Sequence, residues 1–344
     1  MNMEKVTQQL IEILNTPSPS GDTEKAISLV KGYFDDLGVK TSYTNKGALM
    51  ATIPGQDDTK HRVISAHVDT LGAMVKEIKS NGRLKMTQIG GYPWNAVEGE
   101  YCTISTYEGK TYTGTILTNK ASTHVHGGDS SSNKRSDDTM EVRIDAPVSS
   151  AEDVSALGIE VGDFIYLEPR CQITDSGYIK SRHLDDKAAV ACLVGTAAHI
   201  IENKLTPAYT THFLISNYEE VGHGANSAIP EKTFEFLAVD MAAPGEGQTS
   251  HEHKVTICAK DSSGPYDLKM RHMLTQLAKD ENIDYVIDIY PYYGSDASAM
   301  LRAGHDIKHG LIGPGVDASH SFERTHVDGL KATMDLTLAY ILKA

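Results

Sequence analysis

Positive charge is scarce in this chain of 344 residues: 32 Lys and Arg stand against 46 Asp and Glu, for a net charge of −14. Binding nucleic acid takes a basic face toward the phosphates, so this balance argues against such a partner. Long apolar runs are missing as well; none approaches the ~20 residues that a membrane-spanning helix needs. The opening MNMEKVTQQLIEILNTPSPSG has no extended apolar core and no cleavage site of small residues, so no signal peptide is expected. Cysteine is limited to Cys102, Cys171, Cys192 and Cys258, with no CxxC pair. In their apolar, strand-like settings they read as reduced core thiols in a reducing compartment. No glycine-rich phosphate loop opens a helix, and no Gly-x-Ser-x-Gly elbow occurs. Internal repeats and low-complexity tracts are absent too. Together these absences predict a cytoplasmic protein with no membrane and no nucleic-acid partner.

What is present is the texture of an ordinary globular protein, 40% hydrophobic and 23% charged. The length exceeds what one core usually serves, so two domains, or one with an insertion, are expected. Val6, Leu10, Ile11 and Leu14 recur at helical spacing. After the break TPSPSG, Ser20 or Asp22 can cap a second helix that ends at Gly38. Strands near TSYT and ALMATIP follow, and then HRVISAHVDT, an apolar strand running into His-x-Asp. From residue 71 to 167 helical periodicity nearly vanishes. Short strand-like segments such as YCTIST, TYTGTIL and EVRIDA alternate with glycine-rich turns, around a polar loop HVHGGDSSSNKRSDDT. This stretch reads as a small β-rich domain inserted into a larger one made of residues 1–70 and 168–344. In the second part of that larger domain, strands such as THFLISNYEE and EFLAVDMAA alternate with helices such as KAAVACLVGTAAHIIE. The predicted fold class is α/β, a mixed sheet flanked by helices, with the β-rich insertion.

Five features fall at the C-terminal end of a predicted strand or at a helix start: His67-x-Asp69, Asp185-Asp186, Glu219-Glu220, Asp240 and His320. In open α/β sheets ligands bind at that edge. Two imidazoles and several carboxylates suit two divalent metals of borderline hardness. Each feature alone also has a plain structural reading. His67 after an apolar strand can be a core histidine held by hydrogen bonds, although Asp69 two residues on can fix the tautomer of a ligating imidazole. One of Asp185 and Asp186 can cap the helix, which leaves the other unexplained. Glu219 and Glu220 can be surface acids, yet adjacent carboxylates after a buried strand repel unless cations or protons intervene. Asp240 can be a turn residue. His124 and His126 lie in the polar loop, where solvation is the simpler account, and His251 and His253 flank Glu252 near a strand start.

With those residues in place, the chain resembles the tetrahedral, or TET, aminopeptidases, dinuclear-metal enzymes that include glutamyl and deblocking aminopeptidases and cellulase-M-like proteins. The stretches that carry the resemblance are SAHVDTLGAMV, GGYPW…VEG, LGIEVGDFIYLEP, RHLDDKAAV, SNYEEVGHGA, AVDMAAPGEG and GSDASAML, in family order. They span about residues 5 to 340. The resemblance implies a zinc-peptidase-like catalytic domain and two divalent ions per chain, zinc or cobalt. It places His67 and Asp240 on one metal and Glu220 and His320 on the other, with Asp185 bridging. It makes Glu219 the general base, has Asp69 orient His67, and has Asp186 follow Asp185 through an unusual peptide geometry. It further implies hydrolysis of N-terminal residues from short peptides, and a homo-oligomer, by family a tetrahedral dodecamer. The inserted domain, with its β edges, is expected to supply part of the contacts. Three positions depart from the family pattern. Thr70 follows Asp69 where Glu is frequent, and Lys187 follows the two aspartates. The last histidine sits in ASHSFERTH, where His320 is preferred over His326 because a serine follows it at the expected distance from the final helix. A related two-metal carboxypeptidase or amidohydrolase, and a metal-binding assembly protein without turnover, are the competing readings. A glycoside hydrolase would leave His67 and His320 unexplained.

Overall fold

The computed structural model describes residues 1–344 and divides into two units, Met1–Asp69 with Arg170–Ala344, and Thr70–Pro169. The joins expected from the sequence are 70/71 and 167/168. The larger unit is built on a nine-stranded mixed sheet. Its strands run in the order Lys40–Tyr43, Leu49–Ile53, Tyr209–Ser216, Asp57–His67, Thr233–Val239, Lys308–Pro314, Val255–Asp261 and Gly264–Pro265, and Tyr285–Ile289 also pairs with Val255–Asp261. The four strands from Tyr209–Ser216 through Lys308–Pro314 are mutually parallel. They are covered on both faces, so they read as continuous apolar runs rather than as alternation.

The two faces differ. Ile64, Ala66, Phe213, Ile215, Leu237 and Val239 point into a core closed by the helices Met3–Leu14, Glu24–Asp36, Leu184–Glu202, Leu268–Asp280 and Val327–Leu342. Their neighbours Val63, Leu214, Phe236 and Ala238 point the other way, onto Ala297 and Met300 of the short helix Asp296–Arg302. The helix Leu184–Glu202 is buried almost all round, which is why its sequence is apolar on every side. A three-stranded sheet, Gln172–Ile173, Tyr178–Ser181 and Glu323–His326, went unseen in the sequence because its strands are short and polar. The second helix starts at Glu24 with Thr23 as N-cap, so neither Ser20 nor Asp22 caps it; Ser20 has other work, described below.

The smaller unit is a closed antiparallel barrel in the order Gly72–Ile78, Leu84–Ile89, Met140–Ile144, Thr111–Thr118, Tyr101–Ser105 and Phe164–Leu167. Val75, Met86, Ile104, Ile116, Val142 and Ile165 fill it. The polar stretch after residue 121 forms two single-turn helices, Thr123–His126 and Asp129–Ser132, whose side chains are largely exposed. No helix of the chain is long and apolar enough to cross a membrane.

Candidate metal centre

Strand register brings the site together. His67 ends its strand and pairs with Ser216, the last residue of the parallel neighbour, so the segment after Ser216 emerges beside it. That segment carries Glu219 and Glu220 on a 3-10 turn, Glu219–Val221. Asp240 follows the strand Thr233–Val239 on the other side of His67. Asp185 lies at the start of the helix Leu184–Glu202, and its peptide bond to Asp186 is cis. His320 arrives on the loop before Glu323–His326, with a φ of 63°.

Asp185 is the shared member. Its Oδ1 lies 3.2 Å from His67 Nε2, and its Oδ2 lies 3.2 Å from His320 Nε2. Asp240 Oδ1 is 4.0 Å from His67 Nε2, and Glu220 Oε2 is 3.5 Å from His320 Nε2. Two sets of ligand atoms result, His67 with Asp185 and Asp240, and Asp185 with Glu220 and His320, each within 4.8 Å of one another. Glu219 belongs to neither, although its Oε2 is 3.7 Å from His67 Nε2.

The surrounding contacts fix these groups. His67 Nδ1 lies 2.9 Å from the carbonyl oxygen of Asp69 and 3.6 Å from its carboxylate, so the main chain sets the ring. The Asp69 carboxylate accepts the N–H groups of Glu219 at 3.1 Å and Glu220 at 3.3 Å, and the hydroxyl of Ser20 at 2.5 Å. Asp186 belongs to neither ligand set, and its Oδ2 accepts the main-chain N–H of His67 at 3.2 Å. Ser319 Oγ donates to Asp185 Oδ2 at 3.0 Å. Sequence reasoning missed Glu323. Its carboxylate is 2% exposed and accepts the N–H of Asp185 and the N–H of His320, both at 3.1 Å. Its placement three residues after His320, next to Phe322, was the one available signal. Tyr293 was missed too; its hydroxyl donates to the carbonyl of Met241, beside Asp240.

Electrostatics decide what this cluster can hold. Burial pushes Glu219 and Glu220 well above the carboxylate range, with Asp240 adding to the first and Asp185 to the second. Burial and Asp185 push Asp240 up to about 7. Burial acts the same way on Asp185, but His320 and His67 outweigh it and hold that carboxyl below its ordinary range. Burial alone would lower His67; contacts with Asp185 and Asp69 raise it instead. A set of acids this dense stays charged only if cations sit among them. Two further observations fit. Glu220 Oε1 is buried without a hydrogen-bond partner, and the nitrogen and oxygen donor set suits divalent metal ions.

The remaining candidates lie elsewhere. His326 is the N-cap of the last helix and its Nε2 is 2.8 Å from the Ser176 carbonyl. His253 meets Asp328 at 3.0 Å, and His251 is exposed. Lys187 is fully buried, with its Nζ donating to the Thr16 carbonyl at 2.6 Å, and burial lowers it to about 7. His124 and His126 are in the exposed turn of the barrel unit.

The family described as M42 glutamyl aminopeptidase matches residues 47–336. Over 342 residues the chain is 53% identical to YhfE of Bacillus subtilis (strain 168), a protein named as a candidate aminopeptidase, and the match covers 99% of each chain. The TET aminopeptidase of the marine sediment archaeon Thaumarchaeota archaeon SCGC AB-539-E09 has a TM-score of 0.89 at 17% identity, covering 98% of this chain and 97% of that one. The Pyrococcus horikoshii TET1 peptidase, described as assembling into a tetrahedron or a large octahedral shell, has a TM-score of 0.86 at 20% identity, covering 98% and 100%. At those identities the likeness to the two solved structures is one of fold.

Proposed function

We propose, from the premise that this chain belongs to the M42 glutamyl aminopeptidase family and is therefore a peptide-bond hydrolase, that it removes N-terminal residues from short peptides with two divalent ions and Glu219 as general base. The observation that carries this reading is the division of labour around Asp185: two ligand sets share its carboxylate, and Glu219 lies beside them but in neither.

His67 and Asp240 would hold one ion, Glu220 and His320 the other, with Asp185 between them. Zinc or cobalt suits these donors. Such a pair, when bound, supplies Lewis acidity that polarises the scissile carbonyl and lowers the pKa of water toward ~7. The protein's own part is positional and protonic. Asp69 holds the turn that carries Glu219 and Glu220, and Glu323 holds Asp185 and His320 from behind. Asp186 anchors the main chain of His67. Glu219 takes the proton from the attacking water and passes it to the leaving amine, a role worth ~10²–10⁴-fold. A free α-amine bound by this acidic cluster makes the enzyme an exopeptidase.

A panel of chromogenic aminoacyl amides tests the reading. Hydrolysis that needs a free amino end supports it; hydrolysis that needs a free carboxyl end selects the related carboxypeptidase instead. The fold relatives also support a homo-oligomer. The specific form we propose is a tetrahedral dodecamer, with the barrel unit supplying part of the contacts.

A further inference from the structure

Two histidines that the proposed centre leaves unused meet at the start of the last helix. His326 ends the strand Glu323–His326 and caps Val327–Leu342, and His253 sits in the turn before Val255–Asp261. Their rings stack, with centroids 3.8 Å apart and planes 28° apart. Each ring is held by its outer nitrogen. His326 Nε2 lies 2.8 Å from the Ser176 carbonyl, and His253 Nε2 lies 3.2 Å from the Tyr178 hydroxyl. Both inner Nδ1 atoms then face one oxygen, Asp328 Oδ2, at 3.0 Å from His253 and 3.2 Å from His326. The three ligand atoms lie within 4.8 Å of one another.

A carbonyl oxygen only accepts, so His326 carries its proton on Nε2 and presents a lone pair at Nδ1. That lone pair accepts the Asp328 N–H at 3.1 Å, yet a carboxylate oxygen stands nearly as close. An ion at Nδ1 takes this lone pair from the helix cap, and the carboxylate oxygen already beside it supplies a second ligand. An imidazole whose far nitrogen donates to a carbonyl is also the usual setting of a metal-ligating histidine. Helix capping explains His326 alone, and a surface ion pair explains His253 with Asp328. Neither explains why both Nδ1 atoms converge on the same oxygen. Two glycines allow this close approach of the segments. A Cβ at Gly177 would come within 2.7 Å of His326 Nε2, and one at Gly329 within 2.2 Å of the Glu252 carbonyl oxygen. A side chain at Gly177 would press on His326, and one at Gly329 on the turn that carries His253.

We propose that His253, His326 and Asp328 bind one divalent transition-metal ion of the zinc type, a site separate from the centre around Asp185. Two nitrogens and one carboxylate suit that class. His253 and Asp328 border a cavity of about 400 Å³, lined also by Lys254, Asp284, Lys331 and Asp335, which leaves room for water as a fourth ligand. Stacked rings cannot both aim a lone pair at one ion, so binding turns them apart. The ion ties the turn carrying His253 to the first turn of the last helix. The two centres share no residue, so failure of one reading leaves the other standing.

The test is a zinc titration of the chelator-stripped full chain, wild type against His253→Gln and Asp328→Asn, counting bound equivalents and following aminoacyl amide hydrolysis. The wild type should bind one equivalent more than either variant, with hydrolysis unchanged in both. Equal stoichiometry in all three overturns the proposal. Anomalous diffraction from wild-type crystals grown with zinc decides the matter even if neither variant folds: a peak between the two Nδ1 atoms supports the site, and peaks at Asp185 alone overturn it.

Discussion

The carboxylate of Asp69 accepts a hydrogen bond from the main-chain N–H of Glu219 at 3.1 Å, and Asp69 itself is fully buried. Its carboxylate thus seats the proposed base, while its carbonyl oxygen sets the ring of His67. Replacing Asp69 with Ala frees the turn and leaves the hydroxyl of Ser20 and the N–H groups of Glu219 and Glu220 without their acceptor. Turnover should fall by about 10–100-fold, the usual cost of losing a group that orients a metal site. Asp69→Asn, which keeps one acceptor oxygen, should recover part of that loss. Steady-state kinetics with metal analysis checks this; full activity in Asp69→Ala would contradict it.

Protons and metal compete for the same oxygens. Burial holds the Glu220 carboxyl well above its ordinary range and pushes Asp240 up to about 7, so the metal-free ligand sets keep protons close to neutrality. Metal uptake should therefore release protons, tighten as pH rises through about 7 and weaken below it. Titration calorimetry in buffers of different ionisation enthalpy reads the release directly. The sign for folding follows from the same shifts. An acid whose folded pKa is raised weakens the fold once pH passes its unfolded value near 4, and does so fully above the folded value. His67 and Asp185, which favour each other's charged forms, offset part of this. Chelated protein should melt at a lower temperature at about pH 8 than at about pH 6, and metal should remove most of the difference.

Stability at the opposite edge of the sheet rests on a buried ion pair. Arg62 donates to Glu235 at 2.9 Å and to the carbonyls of Tyr340 and Lys343, both at 2.7 Å, and the Tyr340 hydroxyl donates to the same glutamate. Arg62 is 2% exposed and Glu235 7%. Arg62→Ala should cost about 3–5 kcal/mol by leaving a buried carboxylate unpaired. Arg62→Ala with Glu235→Ala should cost less than the two single changes together. Chemical denaturation of the set measures both.

Light scattering at working concentration should give a mass near twelve times the 37.4 kDa of the chain. A stable monomer would remove the dodecamer. In a closed assembly, cleavage should be confined to short peptides.

The residues at strand ends were legible because each follows an apolar run that stops at a charge: VISAH before Asp69, FLIS before Glu219, FLAV before Asp240. Buried parallel strands make such runs, and their common edge brings the charges together. The supporting contacts were hidden. Ser20, Asp69 and Glu219 are far apart in the chain, and nothing local in a serine announces a buried carboxylate as its partner. Glu323 stood in a polar segment that formed an unforeseen short strand. The closing of the barrel depends on register between strands of four to eight residues, which pattern alone leaves open.

Glu219 and Glu220 are chemically identical neighbours with opposite proposed roles, so changing each to Gln and measuring metal content beside turnover is the most direct test. Gln keeps size and most hydrogen bonding but cannot accept the proton. Glu219→Gln should retain both ions and lose about two to four orders of magnitude in kcat, with little change in KM. Glu220→Gln should release one ion more readily and regain part of its activity with added metal. If Glu219→Gln loses metal while Glu220→Gln keeps both ions and loses activity, the roles are reversed. Unchanged hydrolysis in both would place the active site elsewhere.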